Sequence, residues 1–208
     1  MQVPDLKRGW VMAFWKRAAL AALACFALAL PLAADAAAKG APRGSVYLMR
    51  GFANVLSLGL DDLDAKLHKR GVNSIIDSYT NEYSIEQAIV ARYKAGKAAL
   101  PIILIGHSFG ADATLRLASR LGTQNIPVAL IIDFDSVTQL PVPANVRRVI
   151  NFYDPIGGLK LYPGKGFHGR LENIDVSKSD PTIGHFNIEK NATLHARAIS
   201  AVLATLGR

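Results

Sequence analysis

Leu100-Pro101-Ile102-Ile103-Leu104-Ile105-Gly106-His107-Ser108-Phe109-Gly110-Ala111 is the stretch whose reading decides the fold. The apolar run Leu100 to Ile105 predicts a strand, and Ala111 to Leu121 predicts a helix. Between them Gly106-His107-Ser108-Phe109-Gly110 puts a serine at a strand-to-helix corner. A serine hydroxyl is a weak nucleophile near neutral pH unless a turn exposes it and a base takes its proton. Gly106 and Gly110 permit that turn, because side chains there would obstruct the helix start where it folds back on the strand. The pentapeptide fits G-x-S-x-G with the strand before it and the helix after it that the pattern requires. The bland alternative is a tight turn inside an inert α/β core.

Outward from this corner the chain alternates. Val46 to Met49, Val72 to Ile76, Val128 to Ile132, Val146 to Phe152 and Leu171 to Val176 read as further strands. The unbroken β-branched run Val128 to Ile132 suits a strand covered on both faces. Leu60, Leu63 and Leu67 fall at helical spacing after Ser57, a candidate N-cap, with Asp61 and Asp62 in the first turn. Ser84 and Gln87 have capping-box spacing, and Ile85, Ala88, Ile89 and Tyr93 line one face of a helix ending near Gly96. Leu194, Ala198 and Val202 mark a closing helix. Strands separated by helices predict an α/β domain: three layers, with a mostly parallel sheet of about six strands and right-handed crossovers.

The 208 residues are 50% hydrophobic and 19% charged, enough apolar material for one core. Residues 1–38 differ in kind. Lys7, Arg8, Lys16 and Arg17 precede a nearly uncharged stretch from Ala18 to Ala34, and small-residue sites follow at Ala34-Asp35-Ala36 and Ala36-Ala37-Ala38. This is the make-up of an export signal cleaved after Ala36 or Ala38, and it places the protein in the periplasm or outside the cell. An uncleaved inner-membrane anchor is the alternative, and the sole expected membrane contact. Residues 39–44 form a linker and 45–208 the domain. The single cysteine, Cys25, lies in the apolar stretch, so the remaining domain has no thiol and no disulfide.

Net charge is +8, and removing 1–38 takes away four basic and two acidic side chains. The one basic cluster, Lys66-Leu67-His68-Lys69-Arg70, suits a solvated helix end. No aromatic residues interleave with basic ones as in nucleic-acid readers, so no nucleic-acid partner is expected, and a monomer is. No metal-ligand spacing occurs, Gly157-Gly158 lacks the lysine and helix of a phosphate loop, and no cofactor is expected. Asn191-Ala192-Thr193 fits a glycosylation sequon, which a bacterial-type export signal makes unused.

In parallel sheets ligands gather at the carboxyl ends of strands. Arg50-Gly51-Phe52, Ser108, Asp135, Asp154 and His185 all follow predicted strands. With the Gly106-His107-Ser108-Phe109-Gly110 elbow and the order Ser, Asp, His, the chain over about residues 45–207 resembles the α/β-hydrolase superfamily, nearest its small lipase-like or thioesterase-like members.

That resemblance implies a serine hydrolase acting on carboxylic esters or thioesters, with a small or lipid-like acyl ester as substrate. Ser108 would be the nucleophile and His185 the general base, since imidazole titrates close to working pH. The plain alternative for His185 is a loop histidine capping the next helix. Three aspartates compete for the acid that orients the imidazole, with Asp135 the choice and Asp154 the alternative. Asp135 ends the strand after the elbow, where some relatives have Asp-Pro-Val and this chain has Ser136 for the proline. Asp154, in Phe152-Tyr153-Asp154-Pro155, ends the next strand, the commoner place. Asp133 lies deeper in the strand. The oxyanion donors implied are the amides of Phe109 and of Phe52 or Ala53, although Arg50-Gly51 stands where many relatives have His-Gly. The segment from Asp135 to Val146 leaves no room for a helical cap. The glycine-rich loop 155–169, with Leu159, Leu161, Tyr162 and Phe167, is then the only sizeable cover, either a mobile acyl-binding flap or a plain solvent loop. The competing functions are an inert hydrolase-fold protein holding an acyl or aromatic ligand, and a peptidase or amidase.

Overall fold

The computed structural model describes residues 44–52 and 57–208; the export segment expected at 1–38, Cys25, the linker up to residue 43, and Ala53 lie outside the described residues. The apolar segments align as parallel strands β1 (Ser45–Arg50), β2 (Ser74–Ser78), β3 (Ile102–His107), β4 (Leu130–Phe134), β6 (Arg148–Tyr153) and β8 (Arg170–Asp175). They form one 6-stranded sheet in the order β2-β1-β3-β4-β6-β8, every pairing parallel. Two short strands, β5 (Pro141–Val142) and β7 (Tyr162–Pro163), pair outside it. The helices are α1 (Gly59–His68), α2 (Glu82–Lys94), α3 (Phe109–Thr123) and α4 (Ala192–Thr205).

Alternation along the strands divides the core into two layers. Val46, Leu48, Ile103, Ile105, Leu130 and Ile132 meet Leu60, Leu63 and Leu67 of α1 and Ala198 and Val202 of α4. Tyr47, Met49, Ile102, Leu104 and Ile131 face the other way, onto Ile85 and Ile89 of α2 and Leu117 and Leu121 of α3. A sheet whose strands present apolar side chains on both faces is stable only when helices cover both. The chain runs from β1 out to β2 and back across to β3 on the other side, so strand order reverses between β1 and β3. Their carboxyl ends open a crevice there, and Gly51-Phe52 and Ser108 stand at its two lips.

Several local expectations are corrected. Ser57 does not cap α1: Leu58 occupies that position without a side-chain bond. Ser84 lies inside α2, which begins at Glu82, while Ser78 caps the preceding 3-10 turn by accepting from the Thr80 amide. Asn191, the residue of the sequon, caps α4 by accepting from the amides of Thr193 and Leu194. The loop 155–169 is tied down rather than free: Leu159 N donates to Ser136 O, Asn151 Nδ2 donates to Leu159 O, and Asn173 bonds both N and O of Leu161. Leu161 is buried and Phe167 packs on the same layer, whereas Leu159 and Tyr162 are exposed.

Candidate active site

Ser108 continues β3 by one residue, its N–H donating to Phe134 O on β4 at 3.0 Å. Its φ of 57° and ψ of −125° turn the chain sharply into α3, a conformation disfavoured for a residue with a side chain. The flanking glycines make this turn possible. A Cβ on Gly106 would fall 2.3 Å from Gly110 O, and one on Gly110 would fall 1.9 Å from Met49 O, both immovable backbone atoms.

Asp135 continues β4 in the same way, its N–H donating to Phe152 O on β6 at 2.8 Å. Its φ of 59° takes it out of the strand's alternation. Its buried carboxylate accepts the Asp154 amide at Oδ1 (2.6 Å) and faces His185 through Oδ2. His185 rides on a loop folded by hydrogen bonds from Gly184 N to Asn187 Oδ1 and from Ile188 N to Gly184 O. The imidazole lies between the two groups, with Nδ1 2.8 Å from Asp135 Oδ2 and Nε2 3.1 Å from Ser108 Oγ. With Nδ1–H donating to the Asp135 carboxylate, Nε2 carries the lone pair that can accept the serine proton. The hydrogen bond to Asp135 raises the His185 pKa above 6.5; burial works against it, and the charges of Asp135, Glu189 and Asp154 add to the rise.

The structure thus brings Ser108, His185 and Asp135 into one hydrogen-bonded line. The other two aspartates do different work. Asp154 accepts from Ile156 N through its side chain (3.4 Å) and from Gly157 N and Gly158 N through its carbonyl. Asp133 is fully buried against Thr114 Oγ1 (2.8 Å), and burial pushes its pKa well above the carboxylate range. Its carboxyl makes no hydrogen bond to an imidazole.

Phe109 heads α3, where backbone N–H groups have no intrahelical acceptor. The Gly51-Phe52 turn packs against the elbow, since a Cβ on Gly51 would lie 3.0 Å from Ser108 Cβ and 2.9 Å from His107 O. The exposed rings of Phe52, Phe109 and Phe186 border the site: Phe52 and Phe109 lie with centroids 6.4 Å apart, Phe186 stands edge-on to His185 at 5.2 Å, and the half-buried Tyr79 stacks on Phe109 at 5.6 Å. Among the described residues no group of His, Cys, Asp and Glu side chains is arranged to hold a metal ion. A surface cleft of about 620 Å³ at the far end of α3, lined by Ser119, Gly122, Asn125, Asn145 and Lys165 among others, contains no acid or imidazole.

Three features escape sequence inspection. Gly157 and Gly158 pack on the acid and base, with a Cβ on Gly158 falling 1.9 Å from Asp135 Oδ1 and one on Gly157 falling 2.8 Å from His185 Cβ. Asp112, in the first turn of α3, fastens the segment after Asp135 by accepting from Ser136 Oγ, Val137 N and Thr138 N. Ser57 and His107 share a buried hydrogen bond of 2.8 Å. The only sequence signal for any of these is the Gly-Gly pair following Asp154-Pro155.

No family model matches this chain, and no curated protein matches it. Solved structures do. The esterase domain of a Rhodothermus marinus protein aligns with a TM-score of 0.51 and 15% identity over 78% of this chain and 85% of that one. A cutinase-like protein from Cryptococcus sp. aligns with a TM-score of 0.50 and 18% identity, covering 80% and 96%. The NocB thioesterase domain from the nocardicin cluster gives a TM-score of 0.50 and 15% identity, covering 81% and 96%. This chain has the α/β-hydrolase fold. At these identities the likeness concerns architecture alone. Within the α/β-hydrolase fold this is a small version, in which the residues from Ser136 to Arg147 hold only the short strand β5 and no helix.

Proposed function

We propose that this protein is an exported serine hydrolase that cleaves carboxylic esters or thioesters through an acyl-enzyme on Ser108. The observation that carries the reading is the line from Ser108 Oγ to His185 Nε2 at 3.1 Å and from His185 Nδ1 to Asp135 Oδ2 at 2.8 Å. His185 takes the hydroxyl proton as Oγ attacks the acyl carbon, and Asp135 holds the imidazolium that forms. The amides of Phe109 and Phe52 receive the charge on the tetrahedral oxygen, a contribution of about 3 kcal/mol for a single donor. The imidazolium then gives its proton to the departing alcohol or thiol, and water deprotonated by His185 releases the acid.

The apolar rings around Ser108 favour an apolar acyl group. Export rests on the basic and then apolar make-up of residues 1–38. It is checked by sequencing the N-terminus of the protein recovered outside the cytoplasm, with a start after Ala36 or Ala38 expected and retention of residues 1–38 in the membrane fraction counting against cleavage.

A fluorophosphonate probe, together with p-nitrophenyl esters and acyl-thioesters of short and medium chain length, tests the chemistry. Wild type is expected to label and turn over the esters, and Ser108→Ala and His185→Ala to lose ~10⁴-fold or more in kcat. A folded wild type that neither labels nor turns over any ester is a ligand-binding protein instead. Cleavage confined to amide substrates makes it an amidase.

A further inference from the structure

We propose that Ser57 and His107 form a positioning relay that ties the Gly51-Phe52 turn to the His185 loop, a proposal that rests on the serine-hydrolase reading of the site. Three hydrogen bonds make the chain. Gly51 N–H donates to Ser57 Oγ at 2.9 Å, Ser57 Oγ meets His107 Nδ1 at 2.8 Å, and His107 Nε2 meets the backbone oxygen of His185 at 2.9 Å. The direction of every bond follows from the last. A carbonyl oxygen only accepts, so Nε2 must carry the ring proton. In a neutral imidazole Nδ1 is then an acceptor, and Ser57 must donate its hydroxyl hydrogen to it. All donors and acceptors of this path are thereby satisfied in a buried site where an unpaired one costs about 1–3 kcal/mol.

The neutral state follows from the surroundings. Ser57 and His107 are buried, and burial lowers the His107 pKa to about 4. Glu189 Oε2 is the nearest carboxylate oxygen, at 3.9 Å from Nε2, too long for a hydrogen bond, and burial raises the Glu189 pKa in turn. The relay joins two parts of the site that no strand connects. One end fixes the peptide before Phe52, whose amide is the second oxyanion donor. The other fixes the peptide of His185, whose ring lies over that of His107 with centroids 5.1 Å apart. The residue adjoining the nucleophile on its N-terminal side therefore sets the distance between donor and base.

The side-chain variants separate the branches. Asn at 107 offers an acceptor near the Nδ1 position, Gln offers a donor near the Nε2 position, and Leu offers neither. His107→Leu is expected to lower kcat ~100-fold with KM changed less than ~3-fold, since misplacement of reacting groups acts on the chemical step. His107→Gln is expected to recover to within ~10-fold of wild type. Adding Ser57→Ala to His107→Leu should cost less than ~2-fold more, because both act on one path. The downfield proton resonance of His185 Nδ1–H should persist in His107→Gln and broaden in His107→Leu. In wild type, ¹⁵N shifts of His107 should report the neutral Nε2–H tautomer from about pH 5 to 8. A charged ring or an Nδ1–H tautomer overturns the relay, and so does equal kcat for His107→Leu and wild type. Equal losses in His107→Gln and His107→Leu reduce His107 to a packing residue and overturn it as well. The tautomer and the His185 resonance need no turnover, so an inactive, unlabelled wild type would sink the hydrolase reading while leaving the relay separately decided. If His107→Leu does not fold, His107→Gln and the wild-type tautomer settle the matter.

Discussion

His185 is placed between a group that must lose a proton and one that must keep its charge. Because its pKa is raised above 6.5 chiefly by the bond to Asp135, the base form disappears as pH falls through that raised value. kcat/KM should therefore fall on the acid side with a midpoint above 6.5. Asp135→Asn removes the raising bond and charge, so the midpoint should move to lower pH while kcat drops by ~10⁴-fold. Asp154→Asn leaves the Asp135 bond intact and should shift the limb slightly downward with kcat within ~10-fold of wild type. pH–rate profiles of the three proteins check this, and a limb that stays in place in Asp135→Asn would exclude that carboxylate as the partner. The sign for stability is opposite. A raised folded-state pKa stabilises the fold at pH below the unfolded value, and the contribution fades as pH rises through the folded value. Ser108 and His185 are legible from sequence because chain order and a five-residue pattern specify them. The choice of Asp135 over Asp154 is not, because it turns on a left-handed φ of 59°. Nor is the relay, since Ser57 and His107 lie 50 residues apart and each has an ordinary local reading.

Four of the six sheet strands begin two residues later than their apolar runs, whereas β1 and β8 begin one residue earlier. Expected strands at 72–76, 128–132 and 146–152 form at Ser74–Ser78, Leu130–Phe134 and Arg148–Tyr153. Val128 and Val146 still pair, as an isolated parallel bridge ahead of the ladder. The hydrogen-bonded ladder does not end where the apolar run ends: β4 takes in Asp133 beyond its run and β6 contains Asn151, both polar and both fully buried. Two glycine contacts at this scale give distinguishable outcomes. In Gly110→Ala the new Cβ meets Met49 O at 1.9 Å, and neither strand nor helix can retreat, so the elbow itself opens. A loss of about 3 kcal/mol in stability is expected. In Gly158→Ala the new Cβ meets Asp135 Oδ1 at 1.9 Å from a loop, so the acid or the loop shifts. kcat should fall ~10–100-fold, and stability should change by less than in Gly110→Ala. Thermal melts beside steady-state kinetics separate the two. Equal stability losses would mean that the loop is as deeply built into the core as the elbow.

Across the whole molecule the site is hung on the sheet in steps. Ser108 is held by the carbonyl of Phe134 on the neighbouring strand, and Asp135 by the carbonyl of Phe152 on the next. Parallel pairing thus carries nucleophile and acid outward from β3 to β4, and α4 closes the layer beneath them. Phe134 and Phe152 pack with centroids 5.3 Å apart, and His195 of α4 stands edge-on to Phe134 at 6.4 Å. Phe134 is fully buried, so Phe134→Ala should lose about 3–5 kcal/mol from the cavity left behind. That is a large share of the ~5–15 kcal/mol that holds an ordinary domain together. The carbonyl that receives Ser108 N–H is main chain and survives the substitution. Below its lowered transition the variant should therefore still be labelled at Ser108, at a rate within ~10-fold of wild type. Denaturant unfolding followed in parallel with fluorophosphonate labelling tests the separation. Lost labelling in a protein that remains folded would show that the ring, and not the strand register alone, sets the position of the serine.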